Sequence, residues 1–313
     1  MARIGLIDVD GKGFPNIPLM KLSAWHKRKG DVVEWYEPMF SGHFDRVYLS
    51  KVFSFTNDYQ YPINADMIIR GGTGYCINLK DGKEMFESCK NHNLPNEIEH
   101  IYPDYSIYPD LTKDTAFGFL TRGCPRGCDF CIVGKKEGQR SFKVADLNEF
   151  WNGQRKIVIC DPNILACNDW RELLKQLINS GSEIDFNQGL DIRLMTEEKA
   201  EMLNNVRYKE IRFAWDRYQD KQLILSKLQL FLSLTKNNPN AHKKIVYTIV
   251  NYDTTIEQDL ERIYILRDLG FWPYVMIYDK THCKKVYKDM QRWVNNRFIF
   301  GKVKNFEDYQ RNS

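Results

Sequence analysis

The stretch GFLTRGCPRGCDFCIVGKKEG, residues 118–138, sets Cys124, Cys128 and Cys131 within eight positions. Three thiols at C-x3-C-x2-C spacing on one short loop can converge on a single soft metal centre. Structural zinc asks for four closed ligands, commonly as two separated pairs. Its fourth ligand would have to come from Cys160, Cys167, His282 or Cys283. An iron–sulfur cluster held by three thiolates instead leaves one iron open to a further ligand. The plainest alternative, three buried core cysteines, fits poorly with a loop that also holds Gly123, Pro125, Gly127 and two arginines.

Working outward, the chain on both sides of this loop alternates strand with helix. Downstream, TAFGFLT, KIVICD, EIDFNQG, EIRFAWD, KIVYTIVN and WPYVMIYD read as strands. Between them DWRELLKQLINSG, TEEKAEMLNNV, DKQLILSKLQLFLSLTK and IEQDLERIYILRDLG read as helices. Thr196 is placed to cap the second of these, and Ile256, Leu260, Ile263 and Leu266 share one face of the last. Six strands with helical crossovers over residues 115–280 predict a partial (βα)6 barrel. In such sheets ligands sit at the carboxyl ends of the strands. Polar residues collect there: Asp161, Asn163, Gln188, Asp191, Arg193, Asp216, Asn251, Asp253 and Asp279.

Upstream, RIGLIDV, DVVEWYE, FDRVYLSKVFS and ADMIIRGG read as strands with short helices between them. The first of those helices opens at Pro18 and stops at Gly30. Residues 1–97 are thus expected to form a small Rossmann-like α/β domain. Residues 98–114, rich in tyrosine and proline, form a connector. A basic helical extension over 281–313 carries Val286, Met290 and Trp293 as an apolar stripe for docking on the barrel.

The bulk numbers agree with a folded, water-facing protein of 313 residues, 43% hydrophobic and 27% charged. No apolar run approaches the roughly 18 residues of a membrane span. The opening MARIGLIDVDG is broken by Asp8 and Asp10 and does not read as a signal peptide. A cytoplasmic, reducing setting follows, where eight cysteines are better read as metal-binding or reactive than as four disulfides. Net charge is −3 over residues 1–115 and +7 over 116–313. A basic second half suits an anionic substrate, nucleic acid among them, or simply a solvated surface.

FLTRGCPRGCDFC, residues 119–131, resembles the signature of radical S-adenosylmethionine (radical SAM) enzymes. The resemblance implies that Cys124, Cys128 and Cys131 bind a [4Fe–4S] cluster whose open iron takes SAM through its amino and carboxylate groups. It further implies reductive cleavage of SAM to a 5′-deoxyadenosyl radical that abstracts a substrate hydrogen. The electron would come from an external donor such as flavodoxin or ferredoxin. Phe130 is then expected near the adenine. ICDPNIL and DFNQGLDIRLM resemble the branch with an amino-terminal cobalamin-binding domain, which makes Gln188 and Arg193 candidates for the carboxylate and ribose of SAM and Asp191 an orienting partner. The glycine-rich motif that holds the SAM amine in many relatives is replaced by Asp161 and Asn163.

In that branch DVDGKG, residues 8–13, is similar to a D-x-H-x-x-G loop with Asp10 in place of the histidine. An aspartate cannot replace imidazole as a nitrogen ligand to cobalt. Residues 1–97 are therefore read as a degenerate cobalamin-binding-like domain, with cobalamin the less favoured cofactor. A cobalamin-dependent methyltransferase and a zinc-stabilised nucleic-acid-binding module are the alternatives. No catalytic residue is assigned and no membrane partner is expected.

Overall fold

The structure is a computed structural model that describes residues 1–80, 83–235 and 243–309. Lys236, at the end of an expected helix, and the last four residues of the tail lie outside the described residues. The chain divides into two compact units, Met1–Val158 and Ile159–Ser313.

The first unit is built on strands β1 (Arg3–Asp8), β2 (Val32–Trp35), β3 (Phe44–Ser50) and β4 (Ala65–Gly71). They form a wholly parallel sheet in the order β2-β1-β3-β4. Alternation along β1 and β3 sends Ile4, Leu6 and Tyr48 to one face and Ile7, Val47 and Leu49 to the other, and both sets are buried. A parallel strand covered on both faces reads as a continuous apolar run, which is why RIGLIDV looks as it does. Helix α1 (Ile17–Arg28) covers the first face with Leu19 and Leu22. Its cap is Asn16, whose side chain accepts from the Leu19 N–H at 3.3 Å, with proline in the first turn.

The short helices expected between the later strands are absent. Residues 36–43 and 51–64 join β2 to β3 and β3 to β4 without one. Geometry explains the first of these: eight residues must carry the chain back along a strand and past β1. Extended chain at about 3.3 Å per residue can do so, whereas helix at about 1.5 Å cannot.

A hairpin follows, β5 (Ile77–Lys80) with β6 (Lys83–Phe86), then the four-residue helices α2 (Asn96–Glu99) and α3 (Pro109–Thr112). The connector is pinned rather than slack. Asp104 accepts from Ser23 and Lys27, both at 2.6 Å, and the Tyr108 hydroxyl donates to Asp8 at 2.7 Å. Strand β7 (Thr115–Gly118) leads through β8 (Thr121–Arg122) into the cysteine loop and helix α4 (Val133–Lys136). The chain returns along β9 (Phe142–Lys143), and β10 (Lys156–Ile159) lies beside β7.

The second unit repeats strand and helix regularly. After β10 come α5 (Trp170–Ser180), β11 (Glu183–Phe186), α6 (Glu197–Asn205), β12 (Ile211–Ala214) and α7 (Lys221–Leu234). They are followed by β13 (Lys244–Val250), α8 (Ile256–Asp268), β14 (Trp272–Ile277), α9 (Lys285–Asn295) and α10 (Arg297–Lys302). Strands β12, β13 and β14 are parallel neighbours in chain order, and Leu190, just past β11, bridges to Phe213 of β12. Thr196 caps α6 as expected, accepting from the Lys199 N–H at 3.3 Å. The tail packs on this unit: Met290 and Trp293 of α9 are wholly buried with Val275 and Ile263, and Val286 lies against the same cluster.

Candidate functional site

The sequence-predicted residues fall into two neighbourhoods, one in each unit. The first is the cysteine loop. Strands β8 and β9 pair antiparallel, Thr121 with Lys143 and Arg122 with Phe142, and so clamp the loop at its base. Gly123 opens the loop at φ +75°, and a Cβ there would lie 2.1 Å from the Arg140 carbonyl oxygen. Only glycine fits so close a backbone approach in that conformation. The Cys124 N–H donates to the Gly138 carbonyl at 3.2 Å, and the Cys131 N–H to that of Cys128 at 2.9 Å. Glu137 secures the same base, accepting from Arg122 Nη1 at 2.9 Å and from the Gly123 N–H at 3.1 Å. On α4, Lys136 Nζ donates to Thr73 Oγ1 at 2.6 Å, and burial pushes its pKa down. The contributions of Glu137 and Lys136 were not foreseen from sequence, although both stand within the quoted stretch.

Cys124, Cys128, Cys131 and the neighbouring Phe130 are all half-exposed. Among the described residues, no three His, Cys, Asp or Glu side chains are gathered as ligands of one metal ion. A four-iron cluster does not ask for that arrangement. Each thiolate binds a different iron, so the ligands stand apart around the cluster. Three accessible thiols on a loop held at both ends suit such a group in donor type and in access.

The second neighbourhood lies at the carboxyl ends of β11 and β12. Asp191 and Asp220 hold the Arg193 guanidinium, through Nε at 2.8 Å and Nη1 at 3.0 Å. Burial opposes the charge on Arg193, but the hydrogen bonds and charges of these two carboxylates outweigh it and raise its pKa. Asn163 Nδ2 donates to Asp191 at 3.3 Å. Gln188 is exposed beside Gly189, which has φ +82°. Burial pushes the Asp216 carboxyl up to about 6, against the pull of Arg193 and Arg262. Its Oδ1 is buried without a hydrogen-bond partner among the described residues. Cys160 and Cys167 are buried, and burial raises the Cys167 thiol.

Arg262 was missed by the sequence reading. Fully buried on α8, it donates to the carbonyls of Trp215 and Ile249, each at 2.6 Å, and to Asp259 at 2.5 Å. It thereby fixes the ends of β12 and β13. An Asp and an Arg three apart on a helix look like a surface pair, and the sequence carries no further signal.

No family model matches this chain. A curated protein, the tRNA-2-methylthio-N(6)-dimethylallyladenosine synthase of Buchnera aphidicola subsp. Schizaphis graminum (strain Sg), is 26% identical over 233 residues. The chain resembles a radical SAM enzyme. The match covers 62% of this chain and 50% of the relative, so the chain spans about half the length of the curated protein it matches. Among the described residues no helix is long and apolar enough to cross a membrane.

Proposed function

We propose that this protein is a radical SAM enzyme in which Cys124, Cys128 and Cys131 hold a [4Fe–4S] cluster. The carrying observation is the cysteine loop: three half-exposed thiols on a segment whose backbone is locked at Gly123 and Glu137. Bound there, the cluster would supply the electron that cleaves SAM to methionine and a 5′-deoxyadenosyl radical. Phe130 offers a ring for the adenine. Among the described residues Arg193 commits Nε to Asp191 and Nη1 to Asp220, which leaves Nη2 for a ligand carboxylate, and Asp191 fixes its orientation. Gln188, exposed at the end of β11, offers an amide to the ribose.

The same reading divides the chain into a Rossmann-like domain over 1–97, a connector over 98–114, a partial (βα)6 barrel over 115–280 and the extension over 281–313. Consecutive parallel strands β12 to β14, each reached through a helix, support the barrel. Cobalamin stays the less favoured cofactor. Asp10, standing where the histidine would be, accepts from the Phe53 N–H at 3.3 Å and from Thr56 Oγ1 at 2.7 Å, so it is occupied in holding the loop after β3. The electron donor is taken to be a flavodoxin or ferredoxin and the compartment the cytoplasm. A nucleic-acid substrate is favoured by two observations: the relative's name puts its own product in tRNA, and residues 116–313 carry a net +7.

The test is anaerobic reconstitution, followed by metal analysis and incubation with SAM and a reductant. About four irons per chain, broad visible absorption and 5′-deoxyadenosine are expected. Zinc without iron would make the loop structural. Cobalt with S-adenosylhomocysteine would point to the methyltransferase.

A further inference from the structure

Within the first unit, a cavity of about 470 Å³ opens at the carboxyl ends of β1 and β2. That volume is in the range of small-molecule sites. Its position is also the one expected of a ligand in an open parallel sheet, near the place where chain order reverses between β1 and β3. Nothing in the reading of the cysteine loop uses it.

Trp35, Tyr36, Tyr59 and Tyr61 supply aromatic walls. Tyr36 and Tyr59 cross at 79°, and Tyr59 and Tyr61 at 64°. Rings set at such angles make the corner of a box, whereas a flat heterocycle asks for parallel faces. Asp8, whose carboxylate also accepts from Tyr108, and Glu37 line the same cavity. Lys12, exposed on the loop after β1 and flanked by Gly11 and Gly13, places its Nζ 4.3 Å from the centre of the Trp35 ring. A ring of this cavity thus already carries an ammonium on its face, within the range of cation–π attraction.

We propose that this cavity binds an organic ammonium ion, with Lys12 as the tethered stand-in for its charge. The Trp35 face, the aromatic corner and the two acidic residues take the cation. Lys12 competes for the Trp35 face and leaves when the ligand enters.

Choline and its uncharged isostere 3,3-dimethylbutan-1-ol test this by titration calorimetry on the full chain. Choline should bind about two- to fivefold more tightly than the isostere, the discrimination expected of a cation–π contact at a partly exposed site. Glu37→Gln and Tyr61→Ala, both at exposed positions, should weaken choline about three- to tenfold. Lys12→Ala should tighten it about threefold, a direction that a merely structural lysine would not give. Equal binding of the isostere, no binding of choline to either the wild type or Lys12→Ala, or tighter binding of adenosine than of choline would each overturn the proposal.

Discussion

In the cysteine loop the reactive side chains are half-exposed and the backbone carries the precision. Gly123 sits where a single added carbon would strike the Arg140 carbonyl, and Glu137 ties the turn to Arg122. At the ends of β11 and β12 the arrangement is reversed. There the backbone is ordinary strand and turn, and buried charge fixes the geometry: Arg262 with Asp259, and Arg193 with Asp191 and Asp220. A loop that must wrap an inserted group gains from a rigid frame with accessible donors. A surface that must present fixed dipoles gains from side chains locked to one another in low dielectric. The two neighbourhoods should therefore fail differently when perturbed.

The largest effect is expected in the first. Changing Cys124, Cys128 and Cys131 together to Ala should bring iron from about four per chain to background, with the circular dichroism spectrum unchanged. Iron retained by the triple variant would remove the loop from consideration as the metal site. Gly123→Ala sharpens the point because it alters none of the three cysteines. The left-handed conformation costs an L residue about 1–3 kcal/mol, and the clash adds to that. The variant should lose more than half of its iron after reconstitution while its thermal unfolding shifts by only a few degrees. Full iron content in Gly123→Ala would mean that the frame adapts and the comparison fails.

These two regions also differ in how far they could be read from sequence. Cysteine spacing is local information, and the strands around it show as apolar runs, so the loop and the order of elements in residues 115–280 were legible. Glu137 was in plain view but had no pattern to mark it. The aromatic cavity was not legible, because Asp8, Lys12, Trp35, Tyr36, Tyr59 and Tyr61 meet only through parallel register between β1 and β2 and the path of a loop. The expectation of helices between β2, β3 and β4 failed because strand alternation predicts crossovers without saying that extended chain can make them. Arg262 was hidden for a related reason. The period of α8 marks Ile263 and Leu266 as its inner face, and nothing in the pattern says that two charges lie between the helix and the strand ends.

In the second neighbourhood the expected effects are on stability. Arg262→Met would leave Asp259 charged and buried, and would strip donors from the carbonyls of Trp215, Asp216 and Ile249. Breaking one side of a buried pair costs about 3–5 kcal/mol. Urea unfolding of the second unit should register that loss, with iron content after reconstitution the same as in the wild type. Replacing both partners, Asp259→Leu with Arg262→Met, should recover part of it. If the single variant is as stable as the wild type, the claim that charge locks these strand ends is wrong.

The smallest effect has the most specific signature. The Asp216 carboxyl is raised to about 6 from its ordinary 3.8, with burial the leading cause. The unfolded chain therefore gives up this proton as pH rises through about 4, while the folded chain keeps it until about 6. Across that window each increment of pH favours the unfolded state, and above it the full penalty stands. A shift of about two units has a ceiling of roughly 3 kcal/mol, and partial exposure brings the expected value to about 1–2 kcal/mol. Asp216→Asn carries no such proton. It should match the wild type in urea midpoint near pH 4 and exceed it by the equivalent of about 1–2 kcal/mol at pH 8. A difference of the same size at both pH values would trace the gain to packing. The two basic side chains next to Asp216 would then be compensating its charge fully, making that strand end a neutral network rather than one that stores unfavourable charge for a ligand to relieve.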